Sequence, residues 1–214
     1  MSKIDDLTKK LVDELEPVKK MKPPEVIALK WFLSGFSYVA ILPLFLQFRY
    51  DISDKMNEPV FIIELIVAAI GSVLSCLTAA YFAAPDSHQK KNLKLLATIP
   101  FIALTVILII RLIDQGSSNT MINTTTATYK CFADMFAFAA FPILVMVFLA
   151  KKGASTNQSW SGAMISLSAV NFSYIALRLI EPNDEAEHIL IWHYAPMLLM
   201  VIIGMNIGRK FLKW

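Results

Sequence analysis

The residues able to do chemistry in this chain sit inside or at the edges of otherwise apolar runs. Glu64, Arg111, Asp134, Arg178 and His193 are the ionisable ones, and Cys76 and Cys131 are the two thiols. A charge at the middle of a membrane helix costs roughly 2.5–3.5 kcal/mol on insertion scales, so each needs a reason to be there. In one reading, two acids, two arginines and a histidine form a polar cluster that binds an ion or titrates. In the simpler one, the arginines snorkel and the acids pair with them as structural glue. Their gathering on one side points to a ligand-facing surface in either case. No HExxH, GxSxG, P-loop or CxxC sequence occurs, and those are the patterns that place a catalytic base, nucleophile, phosphate cradle or thiol pair. His88 and His188 fall in connecting loops, and no second histidine shares an α-helical face with His193, which argues against a haem pair. No catalytic residue, cofactor or metal ligand is assigned, and the chain reads as a non-enzyme.

The elements that carry these residues follow from composition. The chain has 214 residues, 56% of them apolar and 17% charged, with a mean hydropathy of +0.56. A soluble domain has about 45–50% apolar and about 25% charged residues. Two cysteines exclude a disulfide scaffold and a four-thiolate zinc site. A net charge of +3 is too small to argue for direct nucleic-acid binding. Six stretches, roughly 26–47, 60–84, 93–113, 130–150, 160–180 and 189–208, reach the ~20 apolar residues of a bilayer span. Barrel strands are shorter and alternate, so the fold class is an all-α membrane protein, a six-transmembrane-helix bundle. Prolines 43, 100, 142 and 196 fall inside four of the spans, where bundle packing re-satisfies the freed carbonyls. Residues 25–214 form this domain, and residues 1–24 form the only sizeable segment outside it.

Lysine and arginine set the orientation. With the N-terminus inside, fifteen basic residues fall on the cytoplasmic side and five, Arg49, Lys55, Arg111, Lys130 and Arg178, on the outside. Both termini are then cytoplasmic. Glu64, Arg111, Asp134, Arg178 and His193 all come to lie in the outer third of the bilayer. Cys131 lies at the outer end of span 4 and Cys76 in the inner half of span 2, roughly 20 Å apart in depth, too far for a disulfide. Gly204 and Gly208 form a GxxxG in span 6 that suits close packing within the bundle, with dimerisation as the alternative.

The N-terminal segment begins with an amphipathic helix. Ser2 can cap it, and Asp5 and Asp6 suit the positive end of its dipole. Ile4, Leu7, Leu11 and Leu15 recur at helical spacing, Val12 widens the stripe, and Pro17 ends it. Residues 1–16 hold three lysines against five acids, so an anionic leaflet repels this helix. A leucine stripe flanked by Asp5, Asp6, Asp13 and Glu14 is better suited to a groove on a basic protein. Lying on the membrane surface, or fraying without a partner, are the alternatives. Only the linker Lys19-Lys20-Met21-Lys22 suits lipid head groups. Residues 1–24 carry eleven charged residues ahead of the first apolar run, so this is not a secretory signal.

The order of these features resembles a family. The acidic start "DDLTKKLVDELEPVKKMKPP" leads into six spans; span 4 opens with a cysteine, contains a proline and is followed by "KKGA". Then come "WSGAMISL", "YIAL", an acidic turn, "IWH" and a terminal "GRKFLKW". The whole is similar to the NrsF family of bacterial inner-membrane anti-sigma factors. The resemblance implies a multi-pass inner-membrane protein that holds an extracytoplasmic-function sigma factor and releases it on stress, often linked to metals or oxidants. It also implies a sensing pair of periplasmic cysteines at the outer ends of spans 4 and 5. Cys131 matches the first. The second would fall near Leu179–Ile180, and no cysteine is there. Sensing would then rest on Glu64, Asp134, Arg178 and His193, or on Cys131 alone.

The reading is a membrane-anchored negative regulator whose partners are a cytoplasmic sigma factor and the lipid bilayer. Ile4, Asp5, Asp6, Leu7, Leu11, Asp13, Glu14 and Leu15 are its partner-binding residues. Glu64, Cys131, Asp134, Arg178 and His193 are its sensing residues. The alternative is a small transporter or channel that uses the outer polar cluster; a membrane enzyme subunit is a third. A transporter needs polar residues through the inner half, where Ser75, Thr78, Asn171 and Asn206 are few. The orientation is directly testable. Reporter fusions after residues 54, 118 and 184 should read periplasmic, and those after 88 and 155 cytoplasmic. A cytoplasmic signal at 118 would overturn the topology.

Overall fold

The computed structural model describes residues 3–13, 22–85, 92–116 and 126–213. All the elements among them are helical. A short helix α1, Lys3–Asp13, is followed by α2 (Pro24–Leu46), a one-turn α3 (Ile52–Lys55), α4 (Pro59–Phe82), α5 (Leu93–Gln115), α6 (Thr126–Ala150) and α7 (Gln158–Ile180). The last segment opens with a single turn, α8 (Ala186–His188), passes through a π-helical turn (Ile189–Tyr194) and continues as α9 (Ala195–Phe211). Six of these segments are long and apolar enough to cross a membrane, and their ends fall within about three residues of the sequence reading. The chain is therefore a six-helix membrane protein. Glu14 and Leu15, expected to belong to the N-terminal helix, lie outside the described residues.

Prolines punctuate the helices as their missing N–H dictates. Pro24 and Pro59 open α2 and α4 at the first helical position, where no donor is needed. Pro43, Pro100 and Pro142 lie inside α2, α5 and α6. Trp31, fully buried, donates its indole N–H to the carbonyl of Pro142 at 2.8 Å and so ties α2 to α6. Pro196 sits in the first turn of α9, directly after the π turn. It cannot donate to the carbonyl four residues back, and the widened turn before it absorbs that break.

Helix α7 is the axis of the bundle. Its spanning window is 83% buried, against 22–39% for the other five. It is also the least hydropathic of the six, because it carries five serines together with Gln158, Asn171 and Arg178. Lipid tails are as apolar as leucine, so helices in a membrane associate through close backbone approach and hydrogen bonds rather than through hydrophobicity. Residues 161–174 of α7 are all buried. Gly162 faces Gly204 and Gly208 of α9, and a Cβ on Gly162 would stand 2.7 Å from the Gly208 Cα and backbone N. The GxxxG therefore serves packing within one chain. Toward α4, Ser72 Oγ donates to the Ser168 carbonyl at 3.2 Å, and Ser168 Oγ donates back to the Ser72 carbonyl. The Asn171 amide donates to the Leu167 carbonyl at 2.7 Å and lies beside Gly71 of α4. These buried polar groups bond within or between helices. Phe172 packs over Gly35 of α2 and tilts against Trp31 at 5.3 Å.

Six spans return the chain to the end it came from. One end of the bundle holds the start of α2 and the end of α9. The other, called the polar end below, holds the α2–α4 and α7–α8 connections, the end of α5 and the start of α6. Cys76 and Cys131 are not joined in a disulfide. Cys76 directs its thiol to the Ala28 carbonyl at 3.4 Å, inside the α2–α4 contact.

The glycine seam sets a stability test. Overpacking a filled interior costs about 1–3 kcal/mol, and at Gly162 the obstructing atoms are backbone and cannot swing away. Gly162→Val should lower the thermal midpoint of the purified protein in detergent well below that of Ile202→Val, a change on the exposed side of α9. Equal midpoints would show that the seam is not close-packed.

Candidate functional site

The ionisable residues of the spans converge at the polar end with partners from the loops. Glu64 of α4 is completely buried. Its Oε1 pairs with the Arg111 guanidinium of α5, and its Oε2 lies 3.3 Å from Arg178 Nε of α7. The hydroxyl of Tyr174, one turn before Arg178, donates to the same Oε2 at 3.2 Å. One carboxylate thus joins three helices. An unpaired carboxylate at this depth would cost several kcal/mol, and the two guanidinium groups remove that cost.

Asp184, in the α7–α8 connection, extends the network outward. Its carboxylate takes Arg178 Nη1 at 2.8 Å, Arg49 Nη2 at 2.6 Å and Lys55 Nζ at 2.9 Å. Its carbonyl accepts from Arg111 Nη2 at 3.0 Å. Arg49 also grips Asp51 through Nε at 2.6 Å. The guanidinium carbons of Arg49 and Arg178 lie over the Phe61 ring, 5.6 and 5.0 Å from its centroid. Backbone placement makes this possible. Gln47 ends α2 with φ 67°, turning the chain so that the Arg49 N–H bonds to the Leu179 carbonyl at 3.0 Å. Burial pushes the Asp184 carboxyl up, but the hydrogen bonds from Arg49 and Lys55 and the Arg178 charge outweigh it and hold it well below the usual carboxylate range. Burial disfavours the Arg49 charge, and Asp51 and Asp184 more than restore it.

A second group lies beside the first. Cys131 at the start of α6, Glu181 just after α7, His188 of α8 and His193 of the π turn bring one donor atom each within 4.8 Å of one another. Glu181 Oε2 lies 2.9 Å from His193 Nε2, and its Oε1 lies 3.0 Å from His188 Nε2. The imidazoles meet edge to face at 5.3 Å. Burial raises the Glu181 carboxyl, and the adjacent His188 and His193 imidazoles more than reverse this, leaving it well below the usual range. Tyr174 neighbours both groups: its hydroxyl donates to Glu64, and its ring lies nearly perpendicular to that of His193, centroids 6.4 Å apart.

The π turn explains why two histidines five residues apart share a face. In an α-helix, five residues rotate a side chain about 140° away from its starting direction. An i→i+5 turn brings the same spacing nearly back into line. The sequence reading, which assumed α-helical geometry, left His188 in a loop and His193 without a companion. The signal available was a His-x4-His spacing three residues before Pro196, the kind of break that a π turn accommodates.

Of the residues singled out from the sequence, Glu64, Arg111 and Arg178 are brought together. Cys131 and His193 are brought together with Glu181 and His188, two residues that the sequence reading passed over. Asp134 lies three residues along α6 from Cys131, with its carboxylate 4.0 Å from Lys130. Arg49 and Lys55, which entered the sequence reading only as outside basic charges, join the network with Asp51 and Asp184. On α1, Ile4, Leu7 and Leu11 are 73, 59 and 57% exposed. Asp5 and Asp6 lie in its first turn and Asp13 ends it.

The depressed Asp184 carboxyl gives the fold an acid sensitivity of known sign. A carboxylate held below its unfolded value contributes stability that is present above the ordinary carboxylate range, about pH 4, and is lost as pH falls through the folded value. Thermal unfolding of the wild type should therefore shift downward as pH drops below that range. Asp184→Asn should start less stable near pH 7 and show a shallower decline. A wild-type midpoint that stays flat on acidification would contradict the network.

With this geometry in view, the chain can be compared with known proteins. The sequence model of the NrsF family, described as negative regulator of sigma F, matches residues 11–214. No curated protein and no solved structure matches the chain. The match covers all six spans, the charge network, and the cysteine–glutamate–histidine group at the polar end, and on that extent the chain belongs to the NrsF family of negative regulators of sigma F.

Proposed function

We propose that this protein is an anti-sigma factor that holds an extracytoplasmic-function sigma factor at the bacterial inner membrane and releases it when a signal reaches the periplasmic side. The family match over residues 11–214 carries the reading. The basic bias supports cytoplasmic termini, which puts the polar end in the periplasm. Residues 1–24 are the partner-binding segment, and residues 25–214 are the membrane domain that anchors it and reads the signal. Regulation by capture needs no catalysis, so the protein acts as a binding device.

The partner-binding surface is the N-terminal helix. Ile4, Leu7 and Leu11 form a stripe that an isolated helix in water has no reason to expose, and α1 leaves all three more than half exposed. With Leu15 they enter the partner's groove, while Asp5, Asp6, Asp13 and Glu14 face its basic rim. The input surface is the polar end, where Glu64, Cys131, Arg178 and His193 belong to networks that span α4, α5, α6, α7 and the π turn, and where Asp134 lies beside Cys131 on α6. A signal that alters those contacts alters how the helices pack.

Binding of the partner tests the first part of this reading. Full-length protein in lipid nanodiscs should capture a candidate extracytoplasmic-function sigma factor from the same bacterium, and Leu7→Ala or Leu11→Ala should weaken capture about tenfold or more. That magnitude follows from burying one leucine, roughly 1.5–3 kcal/mol. Lysine at Asp5 and Asp6 should slow association, and added salt should shrink the difference. Leu11→Asp should abolish capture without changing membrane insertion. Equal capture by wild type and Leu11→Asp would remove this helix from the mechanism.

A further inference from the structure

We propose that Cys131, Glu181, His188 and His193 form a binding site for a divalent transition-metal cation of the zinc class. Their four donor atoms already lie within 4.8 Å of one another. A tetrahedral cation with ligand bonds of about 2.0–2.3 Å spaces its ligands roughly 3.3–3.8 Å apart. The Glu181 contacts to the two histidines, 2.9 and 3.0 Å, are inside that spacing, and the widest pair has to close by about one ångström. His193 is fully buried and His188 is 10% exposed at its side chain.

The histidines are incompletely satisfied by the protein. His188 Nε2 is close to Glu181 Oε1 but off the hydrogen-bonding direction, and His193 Nδ1 has no hydrogen-bond partner. Buried polar atoms are normally paired, and each histidine of this group carries a ring nitrogen that is not. One sulfur, two imidazole nitrogens and one carboxylate oxygen form a borderline donor set. It suits zinc better than magnesium or calcium, which take oxygen ligands, and better than copper(I), which takes several soft sulfurs. The ligands come from α6, the α7–α8 connection, α8 and the π turn, so a bound cation would staple the start of span 4 to the start of span 6 beside α7. The other thiol, Cys76, is committed to the Ala28 carbonyl in the α2–α4 contact, so the site works by ligation through a single sulfur. Binding of the cation does not depend on the sigma-factor reading, because it is measured on the protein alone.

The test uses full-length protein purified in detergent, stripped with chelator and loaded with cobalt(II) as a spectroscopic stand-in for zinc. One cobalt per chain should bind, with a thiolate-to-cobalt charge-transfer band in the near ultraviolet that zinc displaces and excess magnesium does not. Cys131→Ser should lose the band, whereas Cys76→Ser should keep it. His188→Ala should weaken zinc affinity by more than about 100-fold, beyond what loss of an outer-shell partner costs. His188→Cys, which returns a donor at the same position, should recover most of that loss, and circular dichroism should show the same helix content in all variants. Uptake well below one cobalt per chain, a band that survives Cys131→Ser, or equal zinc affinity in wild type and His188→Ala would each overturn the site.

Discussion

The architecture depends on how closely a helix backbone can approach its neighbours when lipid offers no hydrophobic advantage to association. Helix α7 meets that constraint with small residues. Gly162 lets the α9 glycines reach its backbone, Ser168 exchanges hydrogen bonds with Ser72, and Asn171 fits beside Gly71. Larger residues on the outer helices then wrap this axis, and leucine, isoleucine and phenylalanine face outward. The pattern inverts that of a soluble bundle, where the central helix would be the most apolar.

A polar axis creates a problem at its end. Arg178, the last basic residue of α7, is almost fully buried. It is stable there because Glu64 comes from α4 on one side and Asp184 from the connection on the other. The same two acids recruit Arg111, Arg49 and Lys55. The result is a latticework in which every buried charge has an opposite charge within bonding distance. Removing one partner of such a pair typically costs about 3–5 kcal/mol. This network fixes the polar end and the position of the 181–185 connection within it. Glu181, three residues before Asp184, is thereby delivered to Cys131 and the two histidines.

The cysteine–glutamate–histidine group depends on a local departure from α-helical geometry. A π turn widens the helix before Pro196, whose ring and missing N–H disfavour a regular α-turn there. π turns are rare and cluster at functional sites. Here the turn rotates His188 and His193 onto one face and directs that face toward α6. Tyr174 couples this group to the charge network through its hydroxyl and ring. The two groups are thus neighbours in one structure, and a change in one reaches the other through α7.

The sequence by itself determined the number, length and approximate ends of the spans. Bilayer thickness sets the run length, and an uninterrupted apolar run has only one way to satisfy its backbone in lipid. It also determined that Glu64, Arg111, Asp134, Arg178 and His193 share one end, since span order and alternating direction fix depth. Tertiary structure alone decided which of them touch. Depth says nothing about rotation around a helix axis or about which helices are neighbours, so Glu64 could be placed beside Arg178 only once α4 and α7 were seen in contact. It also decided that α7 is the axis, because small residues mark a packing face without naming what packs on it. The pairing of His188 with His193 was the least legible feature. Sequence periodicity presumes 3.6 residues per turn, and these two residues meet because the chain abandons that period for one turn.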